Sequence, residues 1–204
     1  MSLKLINCTK KFKNNLILDD VTFEIPKGIF QLKGRNGAGK STFLKIISGL
    51  DKKYSGEIIS NGASILYLNV DPIGIHPFTI RENLNILWET FNIKPTKDQI
   101  NKIEFFFDGK LDMSYSRSST GMKAKIGLSL IFVKNWDFIL IDEAMSTLDS
   151  ESIEVLSKTL VNLSEKNKTT IIYVSHSLIN ERLKDYSNGI YIGGGKIWCQ
   201  NERN

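Results

Sequence analysis

The glycine-rich segment at residues 34–42, of sequence GRNGAGKST, constrains the fold more than any other part of the chain. A short apolar run at residues 29–32 precedes it and has the character of a buried strand. Apolar side chains then recur at helical spacing, at Phe43, Leu44, Ile47 and Leu50. This spacing predicts a helix over residues 41–50. A strand, a glycine loop and a helix in this order are typical of an α/β protein with a parallel sheet.

The same segment matches the phosphate-binding pattern GxxxxGK[ST] in its usual structural context. Its glycines let backbone N–H groups turn inward around a phosphate, and the positive end of the following helix also favours an anion. Lys40 can reach the β- and γ-phosphates, and the Ser41 hydroxyl can ligate Mg²⁺. An incidental glycine turn with a helix cap is the weaker interpretation. We therefore predict a nucleotide site formed by Gly34, Asn36, Gly37, Ala38, Gly39, Lys40, Ser41 and Thr42.

A second apolar strand, predicted at residues 138–141, ends in the two carboxylates Asp142 and Glu143. Beside a phosphate loop, Asp142 can bind Mg²⁺ through water and Glu143 can polarise the attacking water. Without that loop, a pair of solvated charges at a strand end would be the better interpretation. Ser41 and Asp142 are thus the predicted metal ligands.

His176 follows another predicted strand, over residues 169–175. An imidazole there can hydrogen-bond the γ-phosphate and hold the general base and the water in line. A lone histidine is more often structural, but the end of a core strand favours a functional role. The predicted catalytic residues are Glu143, His176 and Lys40.

Composition indicates which partners and which cellular location the chain can have. The net charge of +5 suits nucleotides, nucleic acid or an anionic membrane face. The lysines are scattered rather than grouped with aromatic residues, so no nucleic-acid partner is expected. No run approaches the roughly 18 apolar residues that a membrane-spanning helix needs, and no signal-peptide core is present. We expect a cytosolic protein.

Strands alternate with helices along most of the chain, which predicts an α/β core covered on both faces. Residues 79–134 differ, because amphipathic helical patterns, including a helix over residues 120–133, replace the strands. We interpret this segment as a small helical lobe. Near the end of the chain, residues 189–199 have the pattern of a hairpin.

Taken in order, these motifs resemble the nucleotide-binding domain of ABC transporters over essentially the whole chain. Residues 34–42 are similar to the Walker A motif, and residues 139–143 to Walker B with its catalytic glutamate. Residues 146–149 (STLD) resemble the D-loop, and His176 falls at the switch histidine. Phe12 lies where the family places an aromatic side chain that stacks on adenine.

The resemblance implies a single domain over residues 1–204 with a P-loop NTPase core of the ABC ATPase type. The core would comprise residues 1–78 and 135–204, with an N-terminal antiparallel β subdomain, and residues 79–134 would form the helical subdomain. ATP and Mg²⁺ would be the cofactors. The resemblance also implies a head-to-tail dimer with an identical or a different second ATPase subunit. That dimer would bind a separate transmembrane permease, on the inner face of the cell membrane.

Residues 118–122 (SSTGM) align with the family's LSGGQ signature but keep only its serine and second glycine, Ser119 and Gly121. In the family this segment binds the γ-phosphate held by a second subunit, and a helix N-terminus with a serine suits an anion. The alternative is that Ser119 is only an N-cap. Thr120 would narrow the approach of the phosphate, which implies weak or asymmetric closure of the dimer.

A second departure is Val70, which stands where the family usually has a glutamine; Asn69 or Asp71 are the polar substitutes nearby. Residues 79–84 (TIRENL) and the short length are most similar to small exporter ATPases. Two other functions remain open at this point. One is a soluble ABC-type ATPase not tied to transport, and the other is a regulatory ATP-binding subunit with low turnover.

Overall fold

The structure is a computed structural model that describes residues 1–12, 15–175 and 180–200. The strands in these ranges are β1 Lys4–Phe12, β2 Asn15–Glu24, β3 Ile29–Lys33, β4 Ser55–Ile59, β5 Ile65–Asn69, β6 Phe138–Asp142, β7 Thr170–Val174, β8 Ser187–Gly193 and β9 Lys196–Gln200. The helices are α1 Lys40–Ile47, α2 Ile80–Thr90, α3 Lys97–Phe106, α4 Thr120–Leu128, α5 Leu130–Val133, α6 Ser150–Asn167 and α7 Glu181–Asp185. Within the same ranges, no helix has the length and apolar character needed to cross a membrane.

The strands form a larger, mostly parallel sheet and a smaller antiparallel one. The larger sheet has the order β5-β6-β7-β3-β8-β9, and its pairings are parallel except in the hairpin β8–β9. The smaller sheet has the order β2-β1-β4. Because β6, β7 and β3 are adjacent and parallel, their carboxyl ends meet at one edge of the sheet. This topology confirms the predicted α/β class with an antiparallel N-terminal portion.

Hydrophobic clusters of described residues cover the two faces of the larger sheet. β6 shows the division, because Ile139 and Ile141 belong to one cluster and Phe138 and Leu140 to the other. Helices α2–α6 pack in the first cluster, whereas α1 and the antiparallel sheet pack in the second. Every residue of β6 is buried, as expected for a central parallel strand that is covered on both faces.

Helices α2–α5 occupy the chain between β5 and β6, within the segment predicted to be helical. α2 and α3 begin with capping boxes, in which Thr79 pairs with Glu82 and Thr96 with Gln99. These caps satisfy backbone N–H groups that have no partner in the first turn of a helix. The local sequence therefore sets where both helices start.

The helix predicted over residues 120–133 has these bounds in the structure but is divided into α4 and α5, which meet at Ser129. Ser129 is fully buried, and its hydroxyl donates a 2.6 Å hydrogen bond to the carbonyl of Ile126. The Phe132 N–H then bonds to the carbonyl three residues back, at Ser129. A serine that bonds back to its own helix and a tightened turn together explain the interruption. Helix α7 was not predicted.

Candidate functional site

The glycine-rich loop joins the carboxyl end of β3 to α1, whose first residue is Lys40. Gly39 has a φ of 100°, in the left-handed region, and a Cβ at this position would overlap Cγ2 of Ile17. Only glycine satisfies both the conformation and the close approach. This tight turn brings the first residues of α1 to the edge where β3, β6 and β7 end.

Lys40 is held across the loop that precedes it. Its Nζ donates hydrogen bonds to the carbonyl oxygens of Gly34 at 2.9 Å and Arg35 at 3.4 Å. The side chain is only 9% exposed. A nearly buried ammonium group needs such partners, and phosphate oxygens are anionic acceptors that can replace the carbonyls. The loop therefore presents a fixed positive charge.

The carboxylate of Asp142 bridges two side chains at the end of β6. Its Oδ1 accepts a 3.0 Å hydrogen bond from Oγ of Ser41, and its Oδ2 accepts a 2.9 Å bond from the hydroxyl of Tyr67. Burial and, after it, the charge of Asp142 raise the pKa of the Tyr67 phenol, so the phenol stays protonated and keeps donating. Asp142 itself is almost fully buried.

The Ser41 and Asp142 oxygens fit Mg²⁺, which prefers hard oxygen ligands and usually binds one or two protein groups. The described residues contain no group of three or more His, Cys, Asp or Glu side chains suited to a metal. At sites that bind nucleotides, phosphate oxygens and water usually supply the remaining ligands of Mg²⁺.

Glu143 follows Asp142 with a φ of 60°, and its N–H bonds to the carbonyl of Val174 at 3.2 Å. This turn directs the chain out of the sheet at the edge where α1 begins.

A cleft of about 490 Å³ opens there. It is lined by Phe12, Asn15, Ile17, Asn36, Gly37, Gly39, Lys40, Ser41, Thr42 and Glu143. The structure therefore brings most of the predicted binding residues together with Glu143, one of the predicted catalytic residues.

Phe12 lies at the end of β1 and at the rim of this cleft, where its ring is 55% exposed. Gly34 and Ala38 line an adjacent cleft on the same loop, which Asn36 and Gly37 also border. An exposed aromatic ring beside a phosphate loop offers a flat apolar face for stacking.

Ser119 and Gly121 lie apart from the described residues that line the cleft. Ser119 is the N-cap of α4, and its hydroxyl accepts a 3.2 Å hydrogen bond from the N–H of Met122. Gly121 packs against the backbone of Thr147. The cap suggested as the alternative role for Ser119 is therefore present within this chain. His176 lies outside the described residues.

Sequence reasoning did not identify Asn15, Ile17 or Tyr67 as parts of the site. Tyr67 lies on β5, which pairs with β6 only in the folded sheet, so no local pattern links it to Asp142. The signal for Ile17 is indirect, because a glycine in the sequence often marks a place where another group approaches the backbone closely.

Comparisons with known proteins agree with this geometry. The family model described as "ABC transporter" matches residues 18–146. An uncharacterised ABC transporter ATP-binding protein of Methanocaldococcus jannaschii is 34% identical over 90% of this chain and 71% of its own length. The aliphatic sulfonates import ATP-binding protein SsuB of Bacillus cereus is 31% identical over 83% of this chain and 71% of its own length.

Among solved structures, the ATP-binding cassette MJ0796, a dimer in a post-hydrolysis state bound to ADP and Pi, superposes with a TM-score of 0.78. It is 22% identical, and the alignment covers 99% of each chain. The chain described here belongs to the ABC transporter family, as an ATP-binding subunit with the ATPase cassette fold.

Proposed function

We propose that this chain is the ATP-hydrolysing motor subunit of an ABC transporter, a single ATPase domain with residues 79–134 as its helical subdomain. One observation carries the proposal: Lys40, Ser41 and Glu143 line the same cleft. In this proposal the triphosphate lies along residues 34–42, and the adenine stacks on the exposed ring of Phe12.

Each polar group then has one task. Lys40 would exchange its carbonyl partners for β- and γ-phosphate oxygens, and Ser41 and Asp142 would hold Mg²⁺. Bound there, Mg²⁺ would neutralise negative charge on the phosphates. Glu143 accepts the proton of the attacking water, and His176 holds the γ-phosphate in line. The positions of Lys40 and Glu143 in one cleft support this division.

The proposed motor is a head-to-tail dimer, in which residues 119–121 of a second ATPase subunit, identical or different, cover the γ-phosphate. Ser119 and Gly121 do not line this chain's own cleft, whereas Ser119 begins a helix whose N-terminal amides suit an anion. Burial of ATP between the subunits would close the dimer, and hydrolysis would reopen it.

The proposed contact with a transmembrane permease is the loop between β5 and α2. It exposes several large apolar side chains: Val70, Ile73, Ile75 and Phe78. Asn83 holds the loop in place, because its Oδ1 accepts from the N–H of Ile75 and its Nδ2 donates to the carbonyl of Thr79. An ordered apolar surface suits a cytosolic helix of a membrane protein. The chain would thus work in the cytoplasm, on the inner face of the cell membrane, and without nucleic acid.

We propose export as the direction of transport, on the resemblance of residues 79–84 to small exporter ATPases. The relative SsuB is named as an import protein, so similarity to it does not support export, and the direction rests on residues 79–84 alone. A low-turnover regulatory subunit is the second candidate. Val70 favours it, because the nearby polar groups bond to each other: Nδ2 of Asn69 donates to Asp71 at 2.6 Å.

Turnover by the purified chain separates these functions. We expect Glu143→Gln to bind ATP as the parent does while its hydrolysis falls by at least about 100-fold, because the general base is lost. Glu165→Gln, at an exposed glutamate on α6, is the control and should hydrolyse normally. Normal turnover by Glu143→Gln would remove this glutamate from catalysis, and negligible turnover by the parent would favour the regulatory subunit. Co-purification with nucleic acid rather than a membrane protein would contradict the transport function.

A further inference from the structure

Lys125, on α4, is a buried cation outside the ATP cleft. Its side chain is only 2% exposed, and its Nζ lies 3.5 Å from Oδ2 of Asp149 and 4.0 Å from Oδ2 of Asp108. The ring centroid of Phe106 lies 5.2 Å from the same nitrogen. Burial of an ammonium group is costly unless charged or aromatic partners compensate it. Its partners come from two other segments, which Lys125 therefore holds to α4.

Asp149 is held in place by a hydrogen bond of its own, in addition to the ion pair with Lys125. It is the N-cap of α6, and its Oδ1 accepts a 2.8 Å hydrogen bond from the N–H of Ser152. That bond, with the charge of Lys125 as a smaller contribution, lowers the pKa of the Asp149 carboxyl. The carboxylate therefore offers one oxygen to α6 and the other to α4.

Gly121 makes a second contact between α4 and the same segment. A Cβ on Gly121 would lie 2.5 Å from the carbonyl oxygen of Thr147, so a side chain at this position would push the two backbones apart. Residues 121 and 125 are one helical turn apart and share a face. The first turns of α4 are thus fixed to residues 147–149 by a close backbone contact and an ion pair.

The segment that α4 contacts begins at the predicted catalytic residue. The N–H of Ser146 bonds to the carbonyl of Glu143 at 3.0 Å, and the N–H of Leu148 bonds to the carbonyl of Met145 at 3.2 Å. These turns connect Glu143 to Asp149 within six residues. Glu143 is thus joined by two hydrogen-bonded turns to Thr147 and Asp149, the residues that contact α4.

We propose that Lys125 is a positioning residue that fixes residues 119–121 against residues 147–149, and through them relative to Glu143. The inference rests on the proposed function, in which residues 119–121 serve the ATP of the second subunit while Glu143 serves the chain's own ATP. In each subunit, the distance and orientation between residues 119–121, which serve one ATP, and Glu143, which serves the other, would then be fixed. Loss of Lys125 would impair closure and turnover but leave binding to the Walker A loop intact.

Lys125→Met tests this, because methionine fills a similar volume without the charge, and the two carboxylates that lose their partner, Asp149 and Asp108, are 60% and 47% exposed and stay solvated. We expect ATP affinity within about twofold of the parent, kcat lower by about tenfold, and ATP-dependent dimerisation of the Glu143→Gln background weaker by about tenfold. Lys125→Arg should restore most of both, because a guanidinium can pair with the same carboxylates. Lys158→Met, at an exposed lysine on α6, is the control.

Asp149→Asn provides a second, independent variant, because asparagine still caps a helix but carries no charge. If Asp149 and Lys125 act through each other, the double variant should lose no more activity than either single variant. Urea unfolding midpoints of all variants show whether any loss reflects stability instead.

Hydrogen exchange of the monomer keeps this inference separate from the proposed function. Lys125→Met should speed exchange in residues 119–125 and 143–149 by about tenfold and leave β8 and β9 unchanged. If Glu143→Gln never dimerises with itself, the homodimeric form of the proposed motor fails and the exchange result alone decides the role of Lys125. A Lys125→Met protein with the parent's exchange, kcat and dimerisation would overturn the inference.

Discussion

Oγ of Ser41 lies 3.0 Å from Oδ1 of Asp142, although 101 residues separate them in the sequence. The contact joins the first turn of α1 to the end of β6, and a third group stabilises it. The hydroxyl of Tyr67, on the neighbouring strand β5, donates to the other oxygen of the carboxylate. The positions of β5, β6 and α1 therefore orient both proposed metal ligands.

Tyr67→Phe tests that orientation. The change removes one donor from a nearly buried carboxylate, which should destabilise the fold by about 1–3 kcal/mol. It should also raise the Mg²⁺ concentration for half-maximal ATPase activity by about tenfold, as loss of a partner behind a metal ligand commonly does. A magnesium titration of activity provides the measurement, and Tyr186→Phe, at an exposed tyrosine, is the control. An unchanged magnesium dependence would show that the hydroxyl does not orient Asp142 for the metal.

Lys40→Ala should weaken ATP binding by roughly 10- to 150-fold, because a charge-assisted hydrogen bond contributes about 1.5–3 kcal/mol. The Lys40 ammonium is already held at the mouth of the loop by two carbonyls, so little ordering is needed when phosphate replaces them. Isothermal titration with ATP checks this. Lys45→Ala, at an exposed lysine on the same helix, should bind like the parent. Equal losses for both variants would indicate a general charge effect rather than a contact at Lys40.

The pH dependence of stability should include a contribution from Asp137. The backbone N–H and then the hydroxyl of Ser64 donate to its Oδ2, and these bonds lower the pKa of the carboxyl. A lowered pKa stabilises the fold fully above the unfolded value of about 3.9, and this contribution is lost as the pH falls through the folded pKa. Asp137→Asn should thus cost about 1 kcal/mol at pH 7 and progressively less below about pH 4.

Urea unfolding between pH 7 and pH 3.5 measures this difference, with the exposed Asp185→Asn as control. A cost of Asp137→Asn that stays constant across this range would mean that its charge has no part in the interaction with Ser64.

Local patterns in the sequence predicted the parts of the site that lie on single elements. The glycine loop, the start of α1 and the buried strand ending at Asp142 each have a signal within about ten residues, and all were found where expected. The family resemblance added the position of Phe12 at the rim of the cleft.

The same local patterns could not predict contacts between segments that are distant in the sequence. Tyr67 contacts Asp142 because β5 and β6 are adjacent in the sheet, and the order of strands in a sheet cannot be read from local sequence patterns. Lys125 looks like any surface lysine in the sequence, since its burial depends on how α3, α4 and α6 pack together. The division between α4 and α5 similarly involves the Ser129 hydroxyl, which bonds to the carbonyl of Ile126 in its own helix and is buried by the tertiary packing.

The most direct test of the proposed motor is the solution mass of Glu143→Gln, measured by light scattering with and without Mg-ATP. We expect a monomer without nucleotide and a dimer with it, because ATP would be buried between residues 34–42 of one subunit and residues 119–121 of the other. A protein that binds ATP and nevertheless stays monomeric in both conditions would contradict the homodimeric motor.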